Sequence, residues 1–154
     1  WSSDVCSSDL AASFTGKLKD FSSVLLELNF DQQSLELPEQ IVTYQDSCHL
    51  RNVMKTSTEP RRLIRSIKGI EFKEMKNAES CCGSAGIYNI VESEMSMKIL
   101  DTKMEAAAAT RAATIVTANP GCLLQMKLGI ERAGLTDRVR AVHLADLLLE
   151  AVQK

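Results

Sequence analysis

The chain has 154 residues, of which 45% are hydrophobic and 25% charged, and its formal net charge is −2 at pH 7. This composition is typical of an ordinary globular domain and gives no electrostatic reason to expect nucleic acid or an anionic membrane as a partner. No apolar run approaches the roughly 18 residues that a membrane-spanning helix needs, so we expect a chain that does not span a membrane.

The first ten residues need separate treatment. Residues 1–10 show no clear helical or strand period and resemble a translated sequencing adapter. They have neither the basic start nor the apolar run of a signal peptide. We expect this segment to be an artefact or disordered, and Cys6 is left out of the functional argument with it.

A helix and a linker are predicted before the compact domain. Apolar residues recur at helical spacing from Phe14 to Leu28, which predicts one helix within a preceding segment, residues 11–30. Residues 31–40 are mostly polar and end around a proline, so they are predicted to form a linker.

The remaining segment, residues 41–154, alternates short β-rich runs with longer helical patterns. Strands are predicted at 41–44, 70–75, 114–118 and 139–142. Helices are predicted at 60–67, 92–111, 122–133 and from 144 to the end. This alternation predicts an α/β domain of three layers, a mostly parallel sheet with helices on both faces.

Four cysteines follow the first three of these strands. Cys48 comes after the first strand, Cys81 and Cys82 after the second, and Cys122 after the third. The carboxyl ends of parallel strands lie at one edge of a sheet, where open α/β folds hold their ligands. We therefore expect the four cysteines to meet there. A few cysteines clustered in turns favour metal binding or catalysis over crosslinks, and they predict a reducing, cytoplasmic compartment.

Four thiolates at one edge would repel each other unless they held a cation or an iron-sulfur core, and tetrahedral thiolate ligation suits zinc or iron-sulfur. An iron-sulfur core with four thiolates is negatively charged and needs amide donors. Three glycines next to the cysteines would let backbone N–H groups approach it, namely Gly83, Gly86 and Gly121.

Four segments carry a family resemblance: residues 44–52, 79–89, 118–125 and 142–148. Together they closely resemble the cysteine-rich (CCG) domain of glycolate oxidase iron-sulfur subunits, with related domains in lactate-utilisation proteins and heterodisulfide reductase. The resemblance implies an electron-transfer subunit of a 2-hydroxy-acid oxidoreductase complex, which takes electrons from a flavin-containing subunit and passes them to an acceptor. It also implies that the chain corresponds to the second cysteine-rich half of a longer subunit and is inactive alone.

Carried over to this sequence, the resemblance makes Cys48, Cys81, Cys82 and Cys122 the cluster ligands, with no catalytic residue. Heterodisulfide reductase relatives have a further cysteine three positions after the last of these, where this chain has Gln125. Four ligands favour a [4Fe-4S] cluster. The resemblance also allows attachment to the inner face of the membrane as an alternative to a purely cytoplasmic location.

Two alternatives stay open. A structural zinc module would use the same cysteines without colour or redox activity. A thiol enzyme would instead use Cys48 with His49, or the vicinal pair Cys81 and Cys82, for nucleophilic or disulfide chemistry. We expect His49 to support its loop or hydrogen-bond a sulfur in preference to binding metal.

Overall fold

A computed structural model of the chain describes residues 9–152. Four parallel strands form one sheet in the order β2-β1-β3-β4. The strands are Glu36–Gln45 (β1), Lys68–Phe72 (β2), Thr114–Thr117 (β3) and Arg140–His143 (β4). The helices are Asp9–Thr15 (α1), Phe21–Glu27 (α2), Cys48–Asn52 (α3), Thr58–Arg65 (α4), Tyr88–Val91 (α5), Ser93–Ala109 (α6), Pro120–Arg132 (α7) and Leu144–Val152 (α8), with a 3-10 turn at Phe30–Gln32. Of the segment predicted to be an artefact or disordered, residues 1–8 lie outside the described residues.

Two apolar clusters cover the two faces of the sheet. On one face, side chains of α4 and α8 pack with Val42, Tyr44 and Val116, and α2 adds partly buried leucines. On the other face, α6 and α7 pack with Ile115 and Ala141. Neighbouring residues of a strand, such as Ile115 and Val116, point to opposite faces, as the pleat of a strand requires. The three-layer α/β prediction is therefore confirmed.

The strand order places a topological switch point between β1 and β3. From β1 the chain passes through α4 on one face to β2, and from β3 it passes through α7 on the other face to β4. The two connections leave β1 and β3 in opposite directions, which opens a crevice above their carboxyl ends. Gln45 and Thr117 are the paired residues at that end. Cys48 and Cys122 follow them within a few positions.

The prediction of a single helix before the domain is wrong, because this segment forms two helices, α1 and α2. The break lies at residues 16–20, where Asp20 caps α2: its Oδ2 accepts a hydrogen bond from the N–H of Ser22 at 2.8 Å. An N-cap of this type ends the preceding helix, since its own backbone is extended. Phe14 and Leu28 lie at the ends of the predicted apolar face and stay exposed.

Strand β1 begins at Glu36, so it includes residues 36–40, which were predicted to be part of a linker. Leu35 and Leu37 are buried in the core, a period-2 pattern that the surrounding polar residues hide. Pro38 is tolerated because the pairing with β2 shifts register between Glu36 and Gln40, and β3 joins only from Val42 onward.

Helix α6 is the longest element, at 17 residues. Its predicted apolar face is buried at Leu100, Met104 and Ala107, and Lys103 is buried beside them. Nowhere between residues 9 and 152 does a helix combine the length and apolarity that crossing a membrane requires.

Candidate metal centre

All four predicted cysteines are free thiols at the carboxyl edge of the sheet. Cys48 is the first residue of α3, directly after the end of β1. Cys122 lies in the first turn of α7, after β3. Cys81 and Cys82 lie in the long connection that follows β2. Cys82 and Cys122 are buried, whereas Cys48 and Cys81 are half-buried.

Cys122 is held at the start of α7 by an N-terminal cap. The Oδ1 of Asn119 accepts a hydrogen bond from the N–H of Cys122 at 3.1 Å, and Pro120 occupies the first turn. The positive end of a helix dipole stabilises a thiolate in the first turn. The residues Asn119-Pro120-Gly121 therefore build the turn that places Cys122 in the first turn of α7.

The loop that carries Cys81 and Cys82 is tied back to the end of β1. The N–H of Asp46 donates to the carbonyl of Ala78 at 3.1 Å, and the Nε2 of Gln45 donates to the carbonyl of Ser80 at 3.1 Å. These bonds carry the loop across the end of β1 to the start of α7. Cys82 is consequently packed among side chains of α6 and α7.

Groups from three loops act on the thiol of Cys122. Its pKa is raised by the Cys82 thiol and by the charge of Cys48, whereas the hydroxyl of Ser47, the residue before Cys48, acts in the opposite direction. The Ser47 hydroxyl also lies 3.4 Å from Oγ1 of Thr117. Cys82 and Cys122 thus lie in one buried cluster, and the Cys48 loop is near enough to affect the pKa of Cys122.

The hydrogen bond between the two buried thiols separates their acidities. The pKa of Cys82 is lowered, mainly because the Cys122 thiol donates to it, with further help from backbone N–H groups and the charge of Lys103. The pKa of Cys122 is raised by the same bond, by burial, and by the charges of Cys82 and Cys48. Cys82 is therefore the thiol of this pair that ionises first.

Backbone amides face the sulfurs of the adjacent pair. The N–H of Gly83 donates to Sγ of Cys81 at 3.3 Å. The backbone N–H of Ser84 helps to lower the pKa of Cys82. Amide donors of this kind stabilise negative charge on sulfur.

The Cys81–Gly86 turn is anchored by a buried polar chain. The Nε2 of Gln125 donates to the hydroxyl of Ser96 at 3.1 Å, and that hydroxyl donates to the carbonyl of Gly83 at 2.9 Å. Gly83 has φ of 92°, and a Cβ there would lie 2.5 Å from the carbonyl oxygen of Ser96. Glycine is therefore required at residue 83. Gln125 is part of this anchor.

The Cys48 loop is anchored by a buried carboxylate. Asp46, with its side chain 1% exposed, accepts two hydrogen bonds from Arg61, at 2.8 and 3.0 Å, and one from Arg51 at 3.1 Å. Arg61 also pairs with the exposed Glu74. A buried carboxylate needs such partners, because an uncompensated buried charge is costly. Sequence reasoning missed this group, although Asp46 stands two residues before a predicted ligand.

Lys103 was also missed. It is 2% exposed, and its Nζ donates to the carbonyl of Asn77 at 2.6 Å. Burial lowers its pKa, whereas the charges of Cys82, Glu79, Asp46 and Cys81 act in the opposite direction. The signal was present in the sequence: a residue between Leu100 and Ala107 at helical spacing falls on the predicted apolar face.

Some predicted residues are not brought together. Cys81 is bonded within its own loop, His49 is exposed on α3, and Gly86 has open space where its Cβ would be. Within the described part of the chain, no three His, Cys, Asp or Glu side chains are already grouped to hold a single metal ion. Two half-buried thiols would have to turn toward Cys82 and Cys122 to complete a four-thiolate site.

The donor set nevertheless fits an iron-sulfur cluster. Four thiols lie on three loops at one edge, two of them in one buried cluster, and the N–H of Gly83 donates to the sulfur of Cys81. Thiolates are the ligands of such clusters, and hydrogen bonds to sulfur tune their potential. When bound, the cluster would supply one-electron redox chemistry.

Comparisons with known proteins agree with this picture. The family model described as "Cysteine-rich domain" (CCG) matches residues 42–127, more than half of the chain. The "Probable glycolate oxidase iron-sulfur subunit" of Bacillus subtilis (strain 168) is 75% identical over 145 residues, which are 94% of this chain and 33% of that protein.

More distant relatives are also found. "Lactate utilization protein A" of Oceanobacillus iheyensis is 34% identical over 107 residues, 70% of this chain and 43% of the relative. "Lactate utilization protein A 1" of Bacillus cereus (strain AH820) is 29% identical over 133 residues, 86% of this chain and 54% of the relative. The chain thus spans between a third and about half of the length of these curated relatives.

Proposed function

Because the chain belongs to the cysteine-rich CCG domain family, we propose that it is the cluster-binding part of an iron-sulfur electron-transfer subunit in a glycolate oxidase or dehydrogenase complex. It takes electrons from a flavin-containing subunit and passes them to an acceptor. The 2-hydroxy acid itself is oxidised on the flavin subunit. The observation that carries the proposal is that the loops with Cys48, the vicinal pair and Cys122 all follow strands at the carboxyl edge of one parallel sheet, with Cys82 and Cys122 in one buried cluster.

The ligands in this proposal are Cys48, Cys81, Cys82 and Cys122. Four thiolates, one for each iron, fit a [4Fe-4S] cluster. The backbone amides of Gly83 and Ser84 hold negative charge on the sulfurs of the vicinal pair, and the N-terminus of α7 does so at Cys122. The names of the relatives support iron over zinc and a 2-hydroxy acid as the substrate class.

Exposed apolar side chains border the site on the same loops. Val53 comes directly after α3, Ile87 and Ile90 follow the vicinal pair, and Leu124 follows Cys122. Large exposed apolar groups at one edge mark surfaces that contact other proteins. They support docking of a partner subunit over the cluster, where electrons have the shortest path. We place the complex in the cytoplasm, either free or attached to the inner face of the membrane.

The domain boundaries are part of the proposal. We assign the cluster domain to residues 36–154, five residues earlier than the sequence predicted, because β1 begins at Glu36. Residues 11–30 belong to the preceding segment, although Leu25, Leu26 and Phe30 pack against the domain core.

An anaerobic reduction assay tests the function directly. The 154-residue chain is loaded with iron and sulfide, mixed with photoreduced FMN, and then with ferricyanide. We expect the visible absorption to bleach with reduced flavin and to return with ferricyanide. The Cys82→Ser variant should show neither change, and Cys6→Ser, which removes a cysteine outside the motif, should behave like wild type. A loaded chain that takes up no electrons would contradict the proposal.

A second candidate is favoured by the same thiol pair. Cys82 and Cys122 lie in one buried cluster and their pKa values are shifted in opposite directions, an arrangement that also suits thiol-disulfide exchange. That function needs two thiols and no metal. It predicts that Cys48→Ser keeps full redox activity, whereas the cluster function predicts that this variant loses it.

A further inference from the structure

Lys103 is a buried cation that the four-cysteine proposal does not use. It lies on α6 in the face that packs against the sheet and is 2% exposed. Lysine is almost never fully buried unless it is paired, because moving an unpaired ammonium out of water is costly. Its side chain therefore needs a negative partner inside the protein.

The contacts of Lys103 lead to the vicinal cysteines. Its Nζ donates to the carbonyl of Asn77 at 2.6 Å, and the same carbonyl accepts from the N–H and the hydroxyl of Ser80 at 3.0 and 2.9 Å. This turn runs directly into Cys81 and Cys82. The ammonium of Lys103 thus binds the backbone of the turn that directly precedes Cys81 and Cys82.

The negative groups that act on Lys103 are Cys82, Glu79, Asp46 and Cys81. Asp46 is already neutralised by Arg61 and Arg51, and Glu79 is exposed, so water screens its charge. The groups that remain are the sulfurs of Cys82, which is buried, and of Cys81, which is half-buried. A cluster bound by them would add to the negative charge that this cation faces.

We propose that Lys103 is a positioning residue whose buried ammonium stabilises the reduced state of the cluster held by Cys81 and Cys82, and so raises its reduction potential. This inference rests on the proposed function. Reduction adds one electron, delivered by the flavin partner, to the oxidised cluster, and no proton or bond changes at Lys103. A fixed positive charge favours the state with one more negative charge, and the low-dielectric interior strengthens that effect.

The test separates the charge of Lys103 from its hydrogen bond. Lys103→Gln keeps a donor for Asn77 without the charge, Lys103→Met keeps neither, and Lys103→Arg keeps the charge. Lys98→Gln is the matched control, because Lys98 lies on the same helix and is exposed. Each variant of the 154-residue chain is loaded anaerobically, its iron and sulfide are counted, and its potential is measured by electron paramagnetic resonance during redox titration.

We expect Lys103→Gln and Lys103→Met to disfavour reduction about tenfold, which is about 59 mV for a one-electron couple. Lys103→Arg and Lys98→Gln should stay close to wild type. If the Gln and Met variants fold without retaining iron while the Arg variant retains it, the requirement for charge is also supported.

Three outcomes would overturn the inference. Wild-type potential in fully loaded Lys103→Gln would leave the proposed function intact and remove the role of Lys103. An equal shift in Lys103→Arg, or loss of iron from all three variants, would show that packing and not charge is what the site requires. A wild-type chain that binds no iron and sulfide would remove the proposed function and the inference with it.

Discussion

Cys82 and Cys122, which come from different connections of the sheet, lie in the same buried cluster and shift each other's pKa in opposite directions. The pKa of Cys82 is lowered and that of Cys122 is raised. Metal ligation needs both side chains as thiolates, so metal binding must release the proton of Cys122. The fold itself therefore brings two of the four proposed ligands into one cluster.

The turn that presents the vicinal cysteines depends on glycine at residue 83. Gly83→Ala should lower the free energy of unfolding by about 2 to 4 kcal/mol, because the backbone has positive φ and the new Cβ would collide with the carbonyl of Ser96. Urea denaturation of the metal-free chain under reducing conditions measures the loss. Gly86→Ala is the matched control.

At Gly86 the backbone is also left-handed, but the Cβ would meet no atom within 4 Å. Gly86→Ala should lower the free energy of unfolding by only about 1 kcal/mol, which is the cost of holding a non-glycine residue in the left-handed region. Equal losses in the two variants would show that the collision at Ser96 does not determine the need for glycine.

The polar chain behind the turn gives a second prediction. Ser96→Ala removes a hydroxyl that joins Gln125 to the carbonyl of Gly83, and it leaves both partners buried without it. We expect a loss of about 1 to 3 kcal/mol in thermal or urea unfolding. Thr102→Ala on the same helix removes an exposed hydroxyl that bonds only to its own helix, and it should change stability by less than about 0.5 kcal/mol. A Ser96→Ala variant as stable as this control would argue against the anchor.

The carboxylate of Asp46, two residues before Cys48, gives a third prediction. Asp46→Asn leaves the side chain of Arg61, which is 12% exposed, without its buried counter-charge. Removal of one partner from a buried ion pair costs about 3 to 5 kcal/mol, and the amide recovers part of this by hydrogen bonding. Glu74→Gln changes the exposed partner of the same arginine and should cost less than about 1 kcal/mol. Chemical denaturation measures the free energy of unfolding of both variants. Equal losses would show that the buried carboxylate of Asp46 stabilises the protein no more than the exposed one of Glu74.

Much of the fold follows from periodicity. The strands at 41–44 and 114–118 and the helices at 60–67, 92–111 and 122–133 are all present, with ends that differ by a few residues. Cysteines placed after successive parallel strands had to share an edge, and the presence of Cys82 and Cys122 in one buried cluster results from that topology.

The errors have local physical causes. The period of the apolar residues continues across residues 16–20, so it gives no sign that Asp20 caps a new helix there. Pro38 suggested a linker, because proline is rare inside a strand. The irregular pairing that accommodates it depends on the register with β2, which the sequence alone does not give. At the same place the backbones of β1 and β2 approach each other closely, because a Cβ on Gly69 would lie 2.1 Å from the carbonyl oxygen of Leu37.

Side-chain networks could not be predicted in the same way. Lys103 stood on a predicted apolar face, which signalled its burial but not its partner. The connection of Gln125 through Ser96 to Gly83 joins residues far apart in sequence, and no spacing rule indicates it. These contacts depend on the way α6 and α7 pack against each other.

The most direct measurement is the iron, acid-labile sulfide and zinc content of the anaerobically expressed chain, with an absorption spectrum, for wild type and Cys82→Ser. A [4Fe-4S] site predicts about four irons and four sulfides per chain, with visible absorption that the variant loses. Zinc without iron, or a folded chain with no metal, would contradict the assignment of Cys48, Cys81, Cys82 and Cys122 as the ligands of an iron-sulfur cluster.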